Sequence, residues 1–445
     1  MICNFCGTRE DAAQSLVAGA LGASICDRCI EIASGMVKER LTPVGDMVLT
    51  NIGQLATNDP RFPGILGLVT NAVVAIRKGR VLWAGPAERM PQGLGALPKL
   101  DCGGRSVIPG MIDAHTHLLF VGDRSKEFAL RAAGVPEAEA ISRGGGPAGT
   151  ARANRMTAPE DLADAIGARL TRMLESGTTV AEAAAGYSIN HRDELDLLRV
   201  AEDVNGNHVV DLVATFDVSK LPVIPPDRND HLQTLVHDIL PEVCGLGYTV
   251  RVTHGRRSLE SKETRLLLTS ASSLGARIRL HSEDTSSGEA YQMALEAKAA
   301  VIDHYGNVDR RKARQMGEMG MSVVLTPLTH LAGRSYLPGL RDLIRAGVTV
   351  ALGTDCQPYP VLVESMPLAV AIAVLEMGLT PDQAVWSATR GGAIALGLYG
   401  RGYVAHGAPA DLVILDAPSP NYLSYRPGAN LIWKVLKNGA VVVSG

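Results

Sequence analysis

The sequence predicts an α/β protein whose largest part is a (β/α)8 barrel, and three observations support that fold class. The middle of the 445-residue chain alternates apolar strand candidates with amphipathic helical stretches, which is typical of parallel βα units. Eight strand candidates can be counted there, the number that closes a barrel. Polar side chains directly follow several of these strands, where barrel active sites are built. An open, doubly wound sheet would not explain their positions.

The first strand candidate is the apolar stretch Ser106-Val-Ile-Pro-Gly-Met-Ile-Asp113, which runs directly into Ala114-His115-Thr116-His117. The other seven are residues 178–181, 209–215, 249–253, 276–280, 300–303, 322–326 and 349–353. Residues 160–175, 258–273 and 310–318 carry helical periodicity between the strands.

The pattern of cysteines in residues 1–40 predicts a small zinc-binding unit. Cys3 and Cys6, and after nineteen residues Cys26 and Cys29, form two C-x2-C pairs. Four thiolates bind zinc in a closed tetrahedral site, which is structural rather than catalytic. A unit this short needs such a site to fold, because it buries too little surface alone. Two disulfides are the alternative, which a cytosolic setting disfavours.

Three segments of this unit closely resemble the zinc-binding N-terminal domain of the ClpX unfoldases. They are Cys3-Asn-Phe-Cys-Gly-Thr8, Leu16-Val-Ala-Gly19 and Ile25-Cys-Asp-Arg-Cys-Ile-Glu31. The resemblance implies a treble-clef-like zinc finger that docks a protein partner or self-associates, and we expect a homodimer. The chain contains no G-x-x-x-x-G-K-[ST] phosphate-binding loop, so an unfoldase ATPase is excluded.

The segments on both sides of the barrel contain short strand candidates. Residues 72–77 and 80–84 flank Lys78-Gly79, which predicts a hairpin with glycine at its turn. Residues 411–416 and 433–443 are also strand-like. We expect the two ends of the chain to pair into one small sheet domain, with two separate β caps as the alternative. The predicted domains are residues 1–40, residues 41–109 together with 397–445, and residues 110–396.

Composition limits the classes of partner. The net charge is −3, with 20% charged residues and no basic stripe, so we expect small-molecule partners rather than nucleic acid. No window approaches the roughly 18 uncharged apolar residues of a membrane span. The N-terminus lacks the basic start and apolar core of a signal peptide. We therefore expect a cytoplasmic protein.

Histidines and carboxylates follow four of the barrel strands. His115 and His117 end the first strand, and residues i and i+2 of a strand point to the same side. The others are His281 with Glu283 after the fifth strand, His304 after the sixth and Asp355 after the eighth. Three imidazoles and a carboxylate can hold a divalent ion and leave a position for water. Five further histidines are interpreted as ordinary core or surface residues: His191, His208, His231, His237 and His406.

These motifs resemble the amidohydrolase superfamily, whose fold is a metal-bearing barrel with a composite β-sandwich. The segments concerned are Ile108-Pro-Gly-Met-Ile-Asp-Ala-His-Thr-His117, His281-Ser-Glu283, Asp303-His304 and Gly353-Thr-Asp355. A closer resemblance, over about residues 44–445, is to the imidazolonepropionase family. It is carried by Phe120-Val-Gly-Asp-Arg124, Glu127-Phe-Ala-Leu-Arg131, Gly144-Gly-Gly146, Gly186-Tyr187, Ala214-Thr-Phe216 and Asp416-Ala-Pro-Ser-Pro-Asn421.

The resemblance implies hydrolysis of a carbon–nitrogen bond in a cyclic amide or amidine, in which metal-activated water attacks a ring carbonyl. It implies that one Zn²⁺ or Fe²⁺ ion is bound by His115, His117, His281 and Asp355. Asp355 then accepts the water proton, Glu283 moves a proton to the leaving nitrogen and His304 stabilises the oxyanion. No lysine is clearly placed after the fourth strand to bridge a second metal, which favours a single ion.

Several expected substrate contacts depart from the family pattern. Arg124 and Tyr187 match substrate-contacting positions, with a surface ion pair and a packed phenol as the alternatives. Lys220 stands in place of a substrate-binding histidine, and His330 is interpreted as a new pocket group. In Thr354-Asp-Cys-Gln-Pro-Tyr359, Gln357 replaces asparagine and Tyr359 replaces glycine.

The sequence therefore predicts a metal-dependent amidohydrolase of the imidazolonepropionase type. One alternative is a specialised, biosynthetic amidohydrolase or cyclase that acts on another small ring, which the changed substrate motifs favour. The other is a non-catalytic scaffold docked through its finger. The intact set of predicted metal and proton-transfer residues argues against a scaffold, which needs none of them.

Overall fold

The structure is a computed structural model that describes most of the chain. The described residues are 3, 16–18, 24–26, 29, 45–184, 186–188, 190–219, 221, 225–255, 258–282, 288–304, 308–333 and 339–445. The chain divides into two compact units, residues 1–44 and residues 45–445. In the first unit, β1 (Leu16–Ala18) and β2 (Ser24–Cys26) form a two-stranded antiparallel sheet.

The second unit contains a mixed sheet that is built from both ends of the chain. Its strands are β3 (Met47–Ala56), β4 (Leu68–Arg77), β5 (Arg80–Pro86), β6 (Lys99–Asp101), β7 (Ser106–Pro109), β16 (Leu412–Leu415), β17 (Ile432–Lys437) and β18 (Ala440–Ser444). They lie in the order β18-β17-β16-β7-β3-β4-β5, and β6 pairs with β3. The two ends meet where β16 pairs antiparallel with β7. The domain limits proposed from the sequence stay a prediction.

Two tight turns in this sheet have left-handed backbone at both central residues. Lys78 and Gly79 have φ of 51° and 73°, and Asn438 and Gly439 have φ of 47° and 75°. Positive φ at both positions is typical of a type I′ turn, whose twist matches that of the flanking strands. The hairpin expected at Lys78-Gly79 is found between β4 and β5. Residues 433–443, strand-like in sequence, are broken by the second turn into β17 and β18.

Eight parallel strands form the barrel. They are β8 (Met111–Asp113), β9 (Thr178–Ala184), β10 (Asp211–Val218), β11 (Thr249–His254), β12 (Ile278–Ser282), β13 (Val301–Asp303), β14 (Ser322–Leu325) and β15 (Thr349–Leu352). Each strand pairs with the next in the chain. The eighth strand meets the first where Ala114 N–H donates to Leu352 O at 3.1 Å and Asp355 N–H donates to His115 O at 2.9 Å. The predicted (β/α)8 class is confirmed.

Residues 106–113, predicted as one strand, instead form two strands that belong to different sheets. The chain leaves the mixed sheet at Pro109, the end of β7, and enters the barrel at Met111, the start of β8. Gly110 lies between them, and a Cβ atom there would lie 2.3 Å from Thr179 Oγ1. Glycine therefore allows the close approach to β9 that this change of sheet requires.

Helices lie between the barrel strands, and further helices follow the last of these strands in the chain. They are α1 (Ser125–Ala132), α2 (Glu137–Gly144), α3 (Gly146–Met156), α4 (Pro159–Glu175), α5 (His191–Asn207), α6 (Pro225–Thr234), α7 (Leu240–Gly245), α8 (Ser261–Ser273), α9 (Gly288–Glu296), α10 (Arg310–Glu318), α11 (Pro327–Gly333), α12 (Leu340–Arg345), α13 (Met366–Leu375), α14 (Pro381–Trp386), α15 (Gly392–Ala395) and α16 (Tyr422–Tyr425). Within the described ranges, none of the helices has the length and apolar character needed to cross a membrane.

The barrel strands are buried on both faces, because side chains fill the interior and helices cover the outside. Every residue of β9, β11 and β14 is buried. The interior is not purely apolar, since Glu182, Arg251, Arg279 and Asp303 lie in it with no exposed surface. These four charges lie beneath the strand ends that carry the predicted site.

A buried lysine joins the mixed sheet to the barrel. Lys437, at the end of β17, has no exposed surface. Its Nζ donates to Asp211 and Asp411 Oδ2 at 2.8 Å and to Thr179 O at 3.1 Å. Because Thr179 and Asp211 belong to barrel strands, the amine links the two sheets.

We expect Lys437→Met to lower the free energy of unfolding by about 2 kcal/mol, since it removes a fully buried, charged donor and leaves Asp211 and Asp411 paired with Arg401 alone. The measurement is the shift of the urea midpoint at unchanged m-value. Lys434→Met is the matched control on the same strand, where a partly exposed amine donates to Ser444 Oγ. The control should change stability by less than about 0.5 kcal/mol. Equal midpoints for the two variants would show that the link contributes nothing.

Candidate metal centre and active site

The barrel brings the predicted metal ligands to one place at the carboxyl ends of its strands. His115 and His117 follow β8, His281 lies in β12 and Asp355 follows β15. His304, which follows β13, joins them. His115, His304 and Asp355 are buried, and the other two are partly exposed. This is the face of a (β/α)8 barrel where active sites are found.

The ligand atoms form two groups of three that overlap at His115, and each group is close enough to share an ion. Those of His115, His117 and Asp355 lie within 4.8 Å of one another, and so do those of His115, His281 and His304. Asp355 Oδ1 is 3.6 Å from His115 Nε2 and 3.9 Å from His117 Nε2. His304 Nε2 is 3.5 Å from the same nitrogen of His115. His115 therefore lies at the centre of the cluster.

The protonation of this cluster suits a metal ion. Burial, with the nearby charges of His115 and Arg251, lowers the pKa of His281 to about 3. Burial also lowers the pKa of His304 well below its usual value, with contributions from His281 and His115. A neutral His281 can present the lone pair that a metal needs, and a neutral His304 can donate one hydrogen bond.

Hydrogen bonds hold the Asp355 carboxylate so that one of its two oxygens is available to a metal ion. Its Oδ2 accepts hydrogen bonds from Thr329 Oγ1 at 2.6 Å and from Gln357 Nε2 at 2.5 Å. Its Oδ1 is buried and has no hydrogen-bond partner among the described residues. A buried carboxylate oxygen without a partner is costly unless a cation satisfies it. The donor set therefore fits a divalent ion.

Unusual backbone supports the cluster. His304 and Asp355 have φ of 59° and 56°, the left-handed region that is unfavourable for residues with side chains. Such strain is concentrated at functional sites. Gly186 has φ of 70°, and a Cβ atom there would lie 2.6 Å from His117 Nδ1. Glycine is required at that position because His117 occupies the space.

Buried polar groups hold the histidines from behind. Asp303 Oδ1 lies 3.3 Å from His115 Nδ1, and Thr326 Oγ1 lies 3.0 Å from His304 Nδ1. Asp113 accepts from Thr354 N–H at 2.9 Å and Thr354 Oγ1 at 2.5 Å, which fixes the segment before Asp355. Contacts to the second nitrogen of a metal-binding histidine set its orientation.

Four charged residues near this site were not identified from the sequence. Arg251 and Arg279 lie in the predicted strands 249–253 and 276–280, and Glu182 and Asp217 lie just beyond the predicted ends of two others. The sequence signal that could have identified them is a charged residue in or next to an otherwise apolar strand. A buried charge is costly unless it is paired, so such a residue indicates a partner. All four are buried, and they pair with one another or with Asp303.

A cavity of about 510 Å³ opens beside the cluster. Its lining includes Gly186, Tyr187 and Asp217, which border His117, and His191, His231 and Arg152. His191 and His231 had been given no functional role. Here His191 Nδ1 lies 2.5 Å from His231 Nε2, and burial together with His231 lowers the pKa of His191 to about 3.

Three predicted substrate residues lie around the metal ligands. Tyr187 Oη donates to Gln357 Oε1 at 2.9 Å, and Gln357 in turn contacts Asp355. The ring of His330 is buried, with its centroid 5.5 Å from that of His304. Their roles toward a substrate stay a prediction.

Arg124 is in a buried ion pair rather than the surface pair considered as its alternative. Its Nε donates to Glu127 Oε2 at 3.0 Å, and both residues are buried. Its guanidinium carbon lies 4.5 Å from the ring centroid of Tyr359. Three further residues assigned from the sequence, Cys6, Lys220 and Glu283, lie outside the described residues.

Known proteins are similar in sequence to most of this chain. The profile of the amidohydrolase family matches residues 106–445. The imidazolonepropionase of Mycolicibacterium smegmatis is 36% identical over 401 residues, which cover 89% of this chain and 97% of that protein. The chain belongs to the amidohydrolase family. The expectation of an enzyme that acts on carbon–nitrogen bonds other than peptide bonds is confirmed.

Two solved structures share the fold of this amidohydrolase. N-isopropylammelide isopropylaminohydrolase from Burkholderia multivorans has a TM-score of 0.67 at 20% identity, covering 90% of this chain and 98% of that one. Atrazine chlorohydrolase from Arthrobacter aurescens, complexed with zinc, has a TM-score of 0.66 at 15% identity, covering 89% and 95%. At these identities the likeness concerns the fold.

The N-terminal unit of the amidohydrolase is a zinc finger of the ClpX C4 type, whose profile matches residues 1–39. The sulfur atoms of Cys3, Cys26 and Cys29 lie within 4.8 Å of one another. Cys26 N–H donates to Cys3 Sγ at 3.3 Å. Three converging thiols fit the structural zinc site expected from the sequence.

We expect the intact amidohydrolase to contain about two metal ions per chain, one in the finger and one in the barrel. His115→Ala and Cys26→Ser should each lower the content to about one, because each removes one site's ligand. His237→Ala, at an exposed histidine that contacts Gln233, is the matched control and should keep both ions. The measurement is elemental analysis after dialysis. One ion in the intact protein would contradict the two-site arrangement.

Proposed function

We propose that this amidohydrolase hydrolyses a carbon–nitrogen bond in a small cyclic amide or amidine, by attack of water on a ring carbonyl. The observation that carries the proposal is the buried, unsatisfied Oδ1 of Asp355 among the site histidines, at the active-site face of the barrel. The cavity of about 510 Å³ beside His117 is large enough for a small ring. The curated relative that is 36% identical is named imidazolonepropionase, which supports a substrate of that type.

One Zn²⁺ or Fe²⁺ ion would be held by His115, His117, His281 and Asp355, the set that the family resemblance implies. In support, His115, His117 and Asp355 form one close group, and His281 lies close to His115. Such an ion polarises a carbonyl and lowers the pKa of a bound water toward neutrality. Asp355 accepts the proton of the attacking water, since its buried Oδ1 faces His115 and His117 and accepts no hydrogen bond from the described residues. Glu283 delivers a proton to the leaving nitrogen.

His304 stabilises the oxyanion in this proposal. Its Nδ1 lies 3.0 Å from Thr326 Oγ1, and a threonine hydroxyl that donates there leaves the proton on Nε2. The Nε2–H then points toward the site, where Nε2 is 3.5 Å from His115 Nε2. A neutral imidazole can donate one hydrogen bond to a developing negative charge.

Substrate is positioned in this proposal by the polar side chains that the sequence assigns to it. Tyr187, Gln357 and His330 lie beside the metal ligands, and Arg124 and Lys220 complete the proposed contacts. A second candidate function is the biosynthetic or cyclase reaction on a different ring. It is favoured by the His191–His231 pair in the cavity wall, which adds hydrogen-bonding groups away from the ligands.

The finger supports a proposal about partners. We infer that it mediates self-association into a homodimer or docks a protein partner, because its sequence matches the ClpX C4-type finger. We also propose that the enzyme acts in the cytoplasm.

Turnover of a substrate panel tests the reaction class. We expect imidazolone propionate, or one of a set of hydantoins, lactams and cyclic ureas, to be hydrolysed by the metal-loaded protein. The apo protein should be inactive, because the water then keeps its ordinary pKa. The measurement is the loss of ring absorbance together with product mass. Failure of the metal-loaded enzyme on the whole panel in both directions would favour the scaffold alternative.

Replacement of the proposed proton donor separates chemistry from metal binding. Glu283→Gln should reduce kcat by at least about a hundredfold, because general acid catalysis is lost. The metal content should stay at about two ions per chain. Glu289→Gln is the matched control, since its side chain is 58% exposed, and it should keep the full rate. Full activity of Glu283→Gln would assign the proton transfer to another residue.

A further inference from the structure

A buried guanidinium lies directly behind two of the proposed metal ligands. Arg251, in the fourth barrel strand β11, has no exposed surface. Its Nη1 donates to Glu182 Oε2 at 3.0 Å and lies 3.2 Å from His115 Nδ1. Its Nη2 donates to Asp217 Oδ2 at 3.2 Å and lies 3.2 and 3.3 Å from the two ring nitrogens of His117. Two carboxylates and two imidazoles thus surround this cation.

The groups that surround Arg251 are the groups that a divalent metal ion prefers. Carboxylate oxygens and imidazole nitrogens bind Zn²⁺, Co²⁺ and Mn²⁺. Arginine does not lose its proton in proteins, so the position holds a permanent positive charge. Burial alone would lower the pKa of Arg251, but Asp217, Glu182 and Asp303 raise it above its usual value.

This position is distinct from that of the proposed catalytic ion. The guanidinium faces Nδ1 of His115, whereas Nε2 of the same ring faces Asp355 and His304. The ring of His115 therefore lies between two cation positions, whereas His117 borders both, since its Nε2 is 3.3 Å from Arg251 Nη2 and 3.9 Å from Asp355 Oδ1. One position is filled by the protein itself, and the other has the unsatisfied oxygen of Asp355.

The buried charges match one divalent ion. Arg279 donates to Asp303 Oδ1 at 2.6 Å, and its Nη1 lies 2.6 Å from Glu182 Oε1. The two guanidiniums are accompanied by Glu182, Asp217, Asp303 and Asp355. In their ionised forms these six side chains carry a net charge of −2, which one divalent ion neutralises. The buried carboxyls of Asp113 and Glu194 are left out of this sum because burial raises the pKa of each to about 7. A second ion would leave excess positive charge in a medium of low dielectric constant, which is costly.

We propose that the guanidinium of Arg251 occupies a position that a second metal ion would otherwise fill. The barrel therefore accepts one metal ion, and Arg251 orients His115 and His117 as ligands of that ion. The inference rests on the proposed metal centre and explains its stoichiometry. Arg251 is a positioning residue here, since it contacts the ligands rather than the reacting atoms.

Metal binding by full-length Arg251→Met tests the proposal. Removing the guanidinium exposes the carboxylates of Glu182 and Asp217 to a vacated space beside His115 and His117. A further ion there is bound by the carboxylates, and it recruits an imidazole when the ring nitrogen that faces away from the first ion releases its proton to solvent. We expect metal content to rise from about two to about three ions per chain after dialysis against Zn²⁺ or Co²⁺. The Co²⁺-loaded variant should show additional visible absorption at the third equivalent. An unchanged content of two ions would overturn the proposal.

Two matched variants separate this effect from a general loss of charge. Arg279→Met removes the other buried guanidinium, which has only His115 among the site imidazoles within contact distance in the described structure. It should not gain an ion. Arg251→Lys keeps a cation at the position and should restore the content of two. A third ion in Arg279→Met, or in Arg251→Lys, would contradict the assignment to Arg251.

A second measurement tests the proposal if Arg251→Met folds poorly. Far-ultraviolet circular dichroism is then recorded with and without Zn²⁺ or Co²⁺. Folding restored by the metal supports the proposal, because an ion has replaced the guanidinium. A variant that stays unfolded in metal overturns it. Absence of any barrel ion from the wild-type protein would instead refute the proposed function, independently of Arg251.

Discussion

Closure of the barrel between its last and first strands is the constraint on which the site depends. Asp355 N–H donates to His115 O, and Thr354 binds the side chain of Asp113, a contact between residues 241 positions apart in the chain. The strands approach so closely that a Cβ atom on Gly353 would lie 2.6 Å from His115 N. The backbone itself therefore sets the separation of His115 from Asp355. A metal ion would enter a site whose ligands are already at working distance, with little ordering left to accomplish.

Several features were predictable because they depend on local pattern. Apolar strands followed by histidines indicated the barrel and the ligands His115, His117, His281 and Asp355, since parallel strands bring their carboxyl ends together. Lys78-Gly79 indicated its hairpin because few residue pairs adopt that backbone. The sequence could not show that residues 106–113 divide at Gly110, because that division arises from contact with Thr179, more than one helix away in the chain.

The charged residues inside the barrel were not predicted from the sequence, and the reason differs. Arg251 and Arg279 occur in strands whose other residues are apolar, and a single sequence does not reveal which carboxylate will pair with a buried guanidinium. Their partners Glu182, Asp217 and Asp303 lie on other strands. Likewise, His191 and His231 meet only because α5 and α6 follow neighbouring strands. Pairing across the barrel is a tertiary property, so it determines the electrostatics of the site without leaving a local signal.

The composite sheet has a consequence for synthesis of the chain. The edge of β7 is completed by β16, which the ribosome produces about three hundred residues later. Until then, an apolar strand presents unpaired backbone groups, the kind of edge that promotes association between nascent chains. The N-terminal strands β3 to β7 can pair with one another, but the outer edge of β7 stays open until the whole barrel has been translated. The segment that contains β16 therefore has a second role, since it covers an apolar strand edge that is exposed while the barrel is being translated.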